Sequence, residues 1–229
     1  FFEDLVSYGS IGARTVESPT HRQMAAALGM PIGFKNGRNG DLQSAVNAVI
    51  AASAPQRRLA VDRNGRLVAS DAPGNLAGHI VLRGSESGPN YGNDTVSAAG
   101  ELMAKAGFGG RRVVVDCSHG NSGKRHEGQV DACESVAEQV AEGGGPIAGV
   151  MIESFLEAGN QPLNPGVTML SELKYGVSVT DACLGFEATE ALLDTLASAA
   201  RARRKVGMSS WQEATSTEGA NNEVPPLTA

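Results

Sequence analysis

Hydrophobic residues fall in short runs along this chain, and longer amphipathic segments separate these runs. Five runs have the length and composition of buried strands: SIGAR (10–14), PIGFK (31–35), HIVLR (79–83), RVVVDCS (112–118) and IAGVMIES (147–154). The segments between them repeat apolar residues with a helical period. The stripe after Asp41, for example, contains Leu42, Ala45, Val46, Val49 and Ile50. This alternation predicts a parallel sheet whose strands are joined by right-handed helical crossovers.

Local signals predict where the helices begin. The THRQ segment at 20–23 has the spacing of a capping box, so we expect a helix that begins at Thr20 and ends at Gly29. Asn93 or Asp94 is expected to cap the helix after the third run.

One segment interrupts the alternation. Two strand-like runs flank Asn64-Gly65, which is the strongest two-residue hairpin signal, so residues 57–72 are expected to form an inserted antiparallel hairpin. Beyond Lys205 the sequence loses its periodicity and collects Ser, Thr, Asn and Pro, so residues 206–229 are expected to form a flexible tail.

Composition excludes several classes of protein. A net charge of -6 and a pI near 5.3 argue against binding to nucleic acid or to an anionic membrane surface. No apolar run approaches the length of a membrane span, and the acidic start lacks a signal peptide's basic region. The three cysteines have no disulfide or zinc spacing, which favours the cytoplasm. The chain opens on Phe1 rather than Met, so we expect that its beginning is missing.

Polar side chains stand at or just beyond the end of each predicted strand. They are Arg14, Lys35, Arg83, His119 and Glu153. No GxGxxG motif follows a strand, which weakens the alternative of a doubly wound dinucleotide-binding sheet. In a (β/α)8 barrel the carboxyl ends of the strands converge on one mouth, where the active site lies. The sequence therefore favours a barrel-type site built from consecutive strands.

The residue types indicate two kinds of ligand. Arg14, Lys35 and Arg83 are suited to phosphate and carboxylate groups. His119 and Glu153 could bind a divalent cation together with Asp181, although Asp181 could equally cap the helix after it.

Six motifs carry a resemblance to a known family. They are IGARTVES, GFKNG, HIVLRG, DCSHGNS, MIES and KYGVSVTDAC. In this order and spacing, as far as about Leu196, the chain resembles the class I 3-deoxy-D-arabino-heptulosonate 7-phosphate synthases. The resemblance implies a metal-dependent (β/α)8 barrel. It also implies a transferase that condenses phosphoenolpyruvate with erythrose 4-phosphate, the first step of the shikimate pathway to chorismate and the aromatic amino acids.

The motifs also imply roles for individual residues. The implied phosphoenolpyruvate-binding residues are Gly12, Ala13, Arg14, Lys35, Arg83 and His119, of which Lys35 and His119 are also catalytic. The implied ligands of Mn²⁺, Fe²⁺, Zn²⁺ or Co²⁺ are His119, Glu153 and Asp181, whereas Cys117 is expected only to pack. The hairpin stands where the family has an element that binds an inhibitory aromatic amino acid, and the full-length enzyme is implied to be a homodimer or homotetramer.

Two family motifs have no counterpart here. They are the cysteine metal ligand of the first barrel strand and the KPRT-type loop for erythrose 4-phosphate. We therefore expect residues 1–205 to form an incomplete barrel, with about the last five βα units, that is inactive alone. Two alternatives remain: a related synthase that uses arabinose 5-phosphate, and a non-catalytic regulatory remnant of the family. The intact His119, Glu153 and Asp181 argue against the remnant.

Overall fold

The computed structural model describes the backbone of residues 5–110, 113–143 and 145–219, and side chains as far as residue 205. Its helices and strands alternate along the chain. In order they are β1 (Gly9–Ile11), α1 (Pro19–Ala27), β2 (Ile32–Lys35), α2 (Gln43–Ser53), β3 (Gln56–Val61), β4 (Leu67–Ala72), β5 (His79–Leu82), α3 (Asn93–Met103), β6 (Val113–Asp116), α4 (Gly128–Ala141), β7 (Ile147–Met151) and α5 (Phe186–Gly219). A π-helical turn, Ala104–Phe108, continues α3, and a short 3₁₀ helix covers Leu170–Glu172.

Five strands form one parallel sheet in the order β1-β2-β5-β6-β7. These are the five strands predicted from the hydrophobic runs, each one to three residues shorter than its run. Arg112, the first residue of the fourth run, lies outside the described residues. Within those ranges the sheet is open, with β1 and β7 at its edges, and no closed barrel forms. The prediction of an α/β chain with an incomplete set of barrel strands is confirmed.

The core lies between this sheet and the helices that cover it. Phe34, Ile80 and Val113 come from three neighbouring strands and are fully buried. From α2, Val46 and Val49 pack into the same cluster, as the helical stripe predicts. Ile50 was assigned to that stripe, but its side chain is 43% exposed. Ile50 directly follows Val49, and successive residues of a helix point in different directions, so Ile50 points away from the sheet.

Two predicted helix starts were wrong. Helix α1 begins at Pro19, and its cap is Ser18, whose hydroxyl accepts a hydrogen bond from the His21 backbone N–H. Proline suits the first helical position because its missing N–H and fixed φ cost nothing there. Helix α3 is preceded by Gly92 in an extended conformation, with no side-chain cap, so Asn93 is already helical.

The inserted hairpin is present, but its turn is longer than predicted. Strands β3 and β4 pair in antiparallel register, with Val61 opposite Leu67. The Asp62 N–H donates to the Arg66 carbonyl, and Gly65 adopts φ 77°. A left-handed glycine in this place is typical of a three-residue hairpin loop with a bulge.

The last helix extends past the predicted start of the tail. Helix α5 runs to Gly219, so the first part of the segment 206–229 is helical. Side chains from 206 and the whole of 220–229 lie outside the described residues, and the flexibility of this segment stays a prediction. Among the helices that the structure describes, none is both long and apolar enough to cross a lipid bilayer.

Phe34 gives a direct test of this core. Phe34→Ala should lower the free energy of unfolding by about 3 to 5 kcal/mol, because the side chain is fully buried and its loss leaves a cavity. The matched control is Leu67→Ala on the hairpin, where the side chain is 70% exposed and the cost should stay within about 0.5 kcal/mol. Urea denaturation measures both, and equal costs would contradict the assignment of Phe34 to the core.

Candidate active site at the carboxyl ends of the strands

The carboxyl ends of the parallel strands open into one cleft of about 880 Å³. All eight residues predicted for the site line this cleft: Gly12, Ala13, Arg14, Lys35, Arg83, His119, Glu153 and Asp181. The sheet brings these residues together, because neighbouring parallel strands end on the same side and place the residues that follow them side by side.

A buried carboxylate, Asp116, lies at the base of the cleft as the last residue of β6. Its side chain is 1% exposed, and its Oδ2 atom lies 2.6 Å from the Lys35 ammonium and 3.0 Å from His119 Nδ1. Its Oδ1 atom accepts hydrogen bonds from the Ser118 backbone N–H and hydroxyl, at 3.0 and 2.5 Å. Burial raises the pKa of Asp116, but the contacts with His119, Lys35 and Ser118 outweigh burial and hold that pKa below its usual range. Asp116 is therefore an anion that Lys35, His119 and Ser118 stabilise, with Oδ1 in hydrogen bonds and Oδ2 in ion-pair contacts.

His119 lies in the turn that follows β6. Its backbone has φ 57°, a left-handed conformation that few residues other than glycine adopt. The imidazole is held on one side by Ser118 Oγ, 2.6 Å from Nδ1, and faces Glu153 on the other, with Nε2 3.7 Å from Oε1. Such strained backbone conformations cluster at functional sites, where the surrounding structure must hold them in place.

Glu153 and Asp181 reach the cleft from the segments after β7. The buried Gln129 of α4 fixes the Glu153 backbone with two hydrogen bonds, one to its carbonyl and one from its N–H. The Leu184 N–H donates to the Glu153 carbonyl, which aligns the Asp181 segment beside the end of β7. One potential ligand atom from each of His119, Glu153 and Asp181 lies within 4.8 Å of the others.

The two halves of the cleft carry opposite charge. Burial raises the pKa of Glu153, and the neighbouring carboxylates of Asp116 and Asp181 raise it further, while His119 and Lys35 lower it. The crowded carboxylates would be stabilised by a cation.

On the other side, burial lowers the pKa of Arg83, and the nearby charges of Arg38 and Arg14 lower it too, whereas Asp116 and Glu86 raise it. The half-buried guanidinium of Arg83, repelled by the exposed Arg14 and Arg38, would be stabilised by an anion. The cleft thus has one half suited to a metal ion and one half suited to a phosphate or carboxylate.

Three asparagines join the loops that carry these groups. The fully buried Asn36 follows Lys35; its Oδ1 accepts from the Arg83 backbone N–H and from the Asn90 side chain, and its amide donates to the Gly84 carbonyl. Asn121 Oδ1 accepts from the Asn90 backbone N–H. Because each amide has both donors and acceptors, this network fixes the ends of β2, β5 and β6 relative to one another.

The loops after β5 and β6 also touch through their backbones. A Cβ atom added to Gly120 would lie 2.5 Å from the Ser85 nitrogen and 2.6 Å from its carbonyl oxygen. A Cβ atom on Gly84 would meet the Asn121 nitrogen at 2.4 Å. Only glycine permits this approach, which brings Arg83 and His119 into the same cleft.

Sequence reasoning missed two polar residues that organise the site, Asp116 and Gln129. The signal for Asp116 was available, since it is a carboxylate that directly follows three valines at the end of a buried strand. The alternative that Asp181 caps the next helix is wrong, because α5 begins only at Phe186. Cys117 packs in a buried cluster with Cys133, as expected, and all three cysteines are free.

Comparison with known proteins identifies the family. The model of the DAHP synthetase I family matches residues 1–194. The chain belongs to the DAHP synthetase I family. The resemblance carried by the six motifs is thereby confirmed.

Relatives in this family share close to half of the aligned residues. The chain is 46% identical over 207 residues, 90% of its length and 55% of the relative, to a tyrosine-inhibited phospho-2-dehydro-3-deoxyheptonate aldolase of Schizosaccharomyces pombe. It is 44% identical over 203 residues, 89% of its length and 57% of the relative, to the Trp-sensitive enzyme of Escherichia coli K12. The chain therefore spans little more than half the length of these family members.

A solved structure confirms the arrangement of the strands and helices. The phospho-2-dehydro-3-deoxyheptonate aldolase of Francisella tularensis SCHU S4 matches with a TM-score of 0.82 and 43% identity. The match covers 88% of this chain and 57% of that one.

The glycine contact yields a prediction with a matched control. Gly120→Ala should lower the free energy of unfolding by about 1 to 3 kcal/mol, because its Cβ meets the backbone of Ser85, which cannot rotate away. Gly149→Ala makes the same chemical change in β7, where the Cβ meets nothing within 4 Å. Denaturation of both variants should therefore show a clear gap, and indistinguishable midpoints would contradict the close approach of the two loops.

Proposed function

We propose that this chain provides the phosphoenolpyruvate and metal half of a 3-deoxy-D-arabino-heptulosonate 7-phosphate synthase. Such an enzyme joins phosphoenolpyruvate, erythrose 4-phosphate and water to give the seven-carbon product and inorganic phosphate. The observation that carries this proposal is the shared cleft, in which three basic side chains lie beside a His, Glu and Asp cluster. Family membership and the names of the relatives support the same reaction.

In this proposal the basic half of the cleft holds phosphoenolpyruvate. Arg14, Lys35 and Arg83 neutralise its phosphate and carboxylate, and the backbone at Gly12 and Ala13 adds donors. Fixing a multiply charged substrate in this way lets a second phosphorylated substrate approach at lower electrostatic cost. C3 of phosphoenolpyruvate can then bond to the aldehyde carbon, water adds at C2, and the phosphate leaves.

The acidic half fits a divalent metal. An imidazole and two carboxylates are a mixed nitrogen and oxygen set that suits Mn²⁺, Fe²⁺, Zn²⁺ or Co²⁺, and the crowded carboxylates favour a cation between them. A metal bound there supplies Lewis acidity that polarises the aldehyde of erythrose 4-phosphate. The chain's own part is to orient His119, Glu153 and Asp181.

Other features of the family enter as proposals. An aromatic amino acid is the proposed inhibitor, and the hairpin 57–72 is its proposed regulatory element. The names of the relatives do not indicate which aromatic amino acid inhibits, because tyrosine-inhibited and Trp-sensitive relatives are about equally similar to this chain. The homodimer or homotetramer, the cytoplasmic location and the inactivity of the chain by itself stay predictions.

The heptulosonate reaction is favoured over the two alternatives. The relatives reported above carry the heptonate name, which supports erythrose 4-phosphate over arabinose 5-phosphate. A non-catalytic remnant would have no need for the three potential ligand atoms that lie within 4.8 Å of one another.

The anion half is tested by Arg83→Met. Loss of the guanidinium should cost about 2 to 4 kcal/mol in phosphoenolpyruvate binding, a rise in Kd of about 30-fold to 1,000-fold. Arg63→Met removes the same charge from the exposed hairpin turn and should leave Kd unchanged. Isothermal titration calorimetry with the 229-residue chain measures both Kd values. An Arg83→Met chain that binds phosphoenolpyruvate as tightly as the unaltered chain would contradict the anion half of the proposal.

The metal half is tested by Asp181→Asn. An amide is a poorer ligand than a carboxylate, so Mn²⁺ affinity should fall by about tenfold or more. Asp194→Asn, an exposed position on α5, is the matched control and should bind Mn²⁺ as the unaltered chain does. The electron paramagnetic resonance signal of free Mn²⁺ reports both affinities, and an unaltered chain that leaves all Mn²⁺ free would contradict the metal site.

A further inference from the structure

Asp116 contacts one residue from each half of the cleft through a single oxygen atom. Its Oδ2 lies 2.6 Å from the Lys35 ammonium and 3.0 Å from His119 Nδ1. We infer that Asp116 is a positioning residue that orients Lys35 for the anionic substrate and His119 for the metal. This inference rests on the proposed function and adds to it a residue that links the two halves.

The hydrogen bonds around Asp116 fix which nitrogen of His119 carries the proton. An ionised carboxylate only accepts hydrogen bonds, so the single hydroxyl proton of Ser118 goes to Asp116 Oδ1, 2.5 Å away. Ser118 Oγ is then the acceptor toward His119 Nδ1, at 2.6 Å, and the negative Asp116 Oδ2 lies 3.0 Å from the same nitrogen. The accepting hydroxyl oxygen of Ser118 and the carboxylate of Asp116 both face Nδ1, and therefore Nδ1 carries the proton.

This assignment leaves the lone pair of Nε2 available for a ligand bond. Nε2 lies 3.7 Å from Glu153 Oε1, on the side of the ring that faces the acidic cluster. A histidine that binds metal through one nitrogen commonly donates its other N–H to a carboxylate, which orients the ring and raises the basicity of the ligand nitrogen. Asp116 and Ser118 make this arrangement around His119.

The same carboxylate restricts Lys35. The lysine side chain is 16% exposed and extends from the end of β2 to Asp116, so its ammonium is held at the cleft wall. The ammonium forms an ion pair with Asp116 and also lines the cleft, where its N–H donors can reach an anion. Without Asp116, the flexible lysine stem would lose its anchor, and Lys35 and His119 would both lose their orientation.

The first test measures the histidine tautomer in the unaltered, metal-free chain. Nitrogen-15 NMR of the imidazoles, at a pH where they are neutral, should show His119 as the Nδ1–H tautomer. A His119→Gln variant assigns the resonance. Finding the Nε2–H tautomer would overturn the inference, whatever the chain does with metal or substrate.

The second test uses Asp116→Asn, which keeps the shape and removes the charge. We expect Mn²⁺ affinity to fall about 10-fold to 100-fold, as for other residues that orient metal ligands. Phosphoenolpyruvate affinity, measured by calorimetry without metal, should fall about tenfold. Asp181→Asn should lower the Mn²⁺ affinity alone, which distinguishes a linking residue from a simple ligand.

The outcomes separate this inference from the proposed function. A folded Asp116→Asn chain that keeps both affinities, or loses only one of them, would overturn the linking role. If that variant fails to fold, the tautomer measurement on the unaltered chain decides whether the inference about Asp116 and His119 stands. An unaltered chain that shows the Nδ1–H tautomer but binds neither Mn²⁺ nor phosphoenolpyruvate would support the orientation of His119 and refute the proposed function.

Discussion

The site depends on one buried negative charge. An isolated carboxylate in the core would cost several kcal/mol, and Asp116 avoids that cost only because Lys35, Ser118 and His119 surround it. The same contacts place a cation and an imidazole at fixed points of the cleft wall. The contacts that offset the cost of burying Asp116 therefore also hold Lys35 and His119 in position.

The parallel sheet explains how distant residues meet, and the asparagine network explains how they stay in place. Consecutive strands end on one side of the sheet, so segments more than 30 residues apart in the sequence contribute to one cleft. Loops at strand ends are ordinarily mobile. Here Asn36, Asn90 and Asn121 join three of them through side-chain amides, and the Gly84 and Gly120 backbones pack directly against each other. A rigid frame of this kind suits a site that must hold charged groups close together.

Sequence patterns predicted much of this arrangement because they report on burial and on strand ends. The five parallel strands and the inserted hairpin follow from hydrophobic runs and turn residues, and the eight cleft-lining residues follow from strand ends and family motifs. The errors were local. Helix α1 begins at Pro19, one residue before the start that THRQ alone predicted, and the hairpin loop has a bulge at Gly65. The role of Asp116 depends on contacts between β2 and β6, which no local pattern encodes.

The proposed function requires that a metal site and a phosphoenolpyruvate site adjoin in one cleft. Paramagnetic relaxation of the phosphorus-31 signal of phosphoenolpyruvate, with Mn²⁺ and the 229-residue chain, tests it most directly. We expect strong relaxation enhancement that requires the chain and disappears in His119→Ala, because the two ligands would lie side by side. Bound Mn²⁺ with an unaffected phosphorus signal would place the ligands apart and contradict the claim.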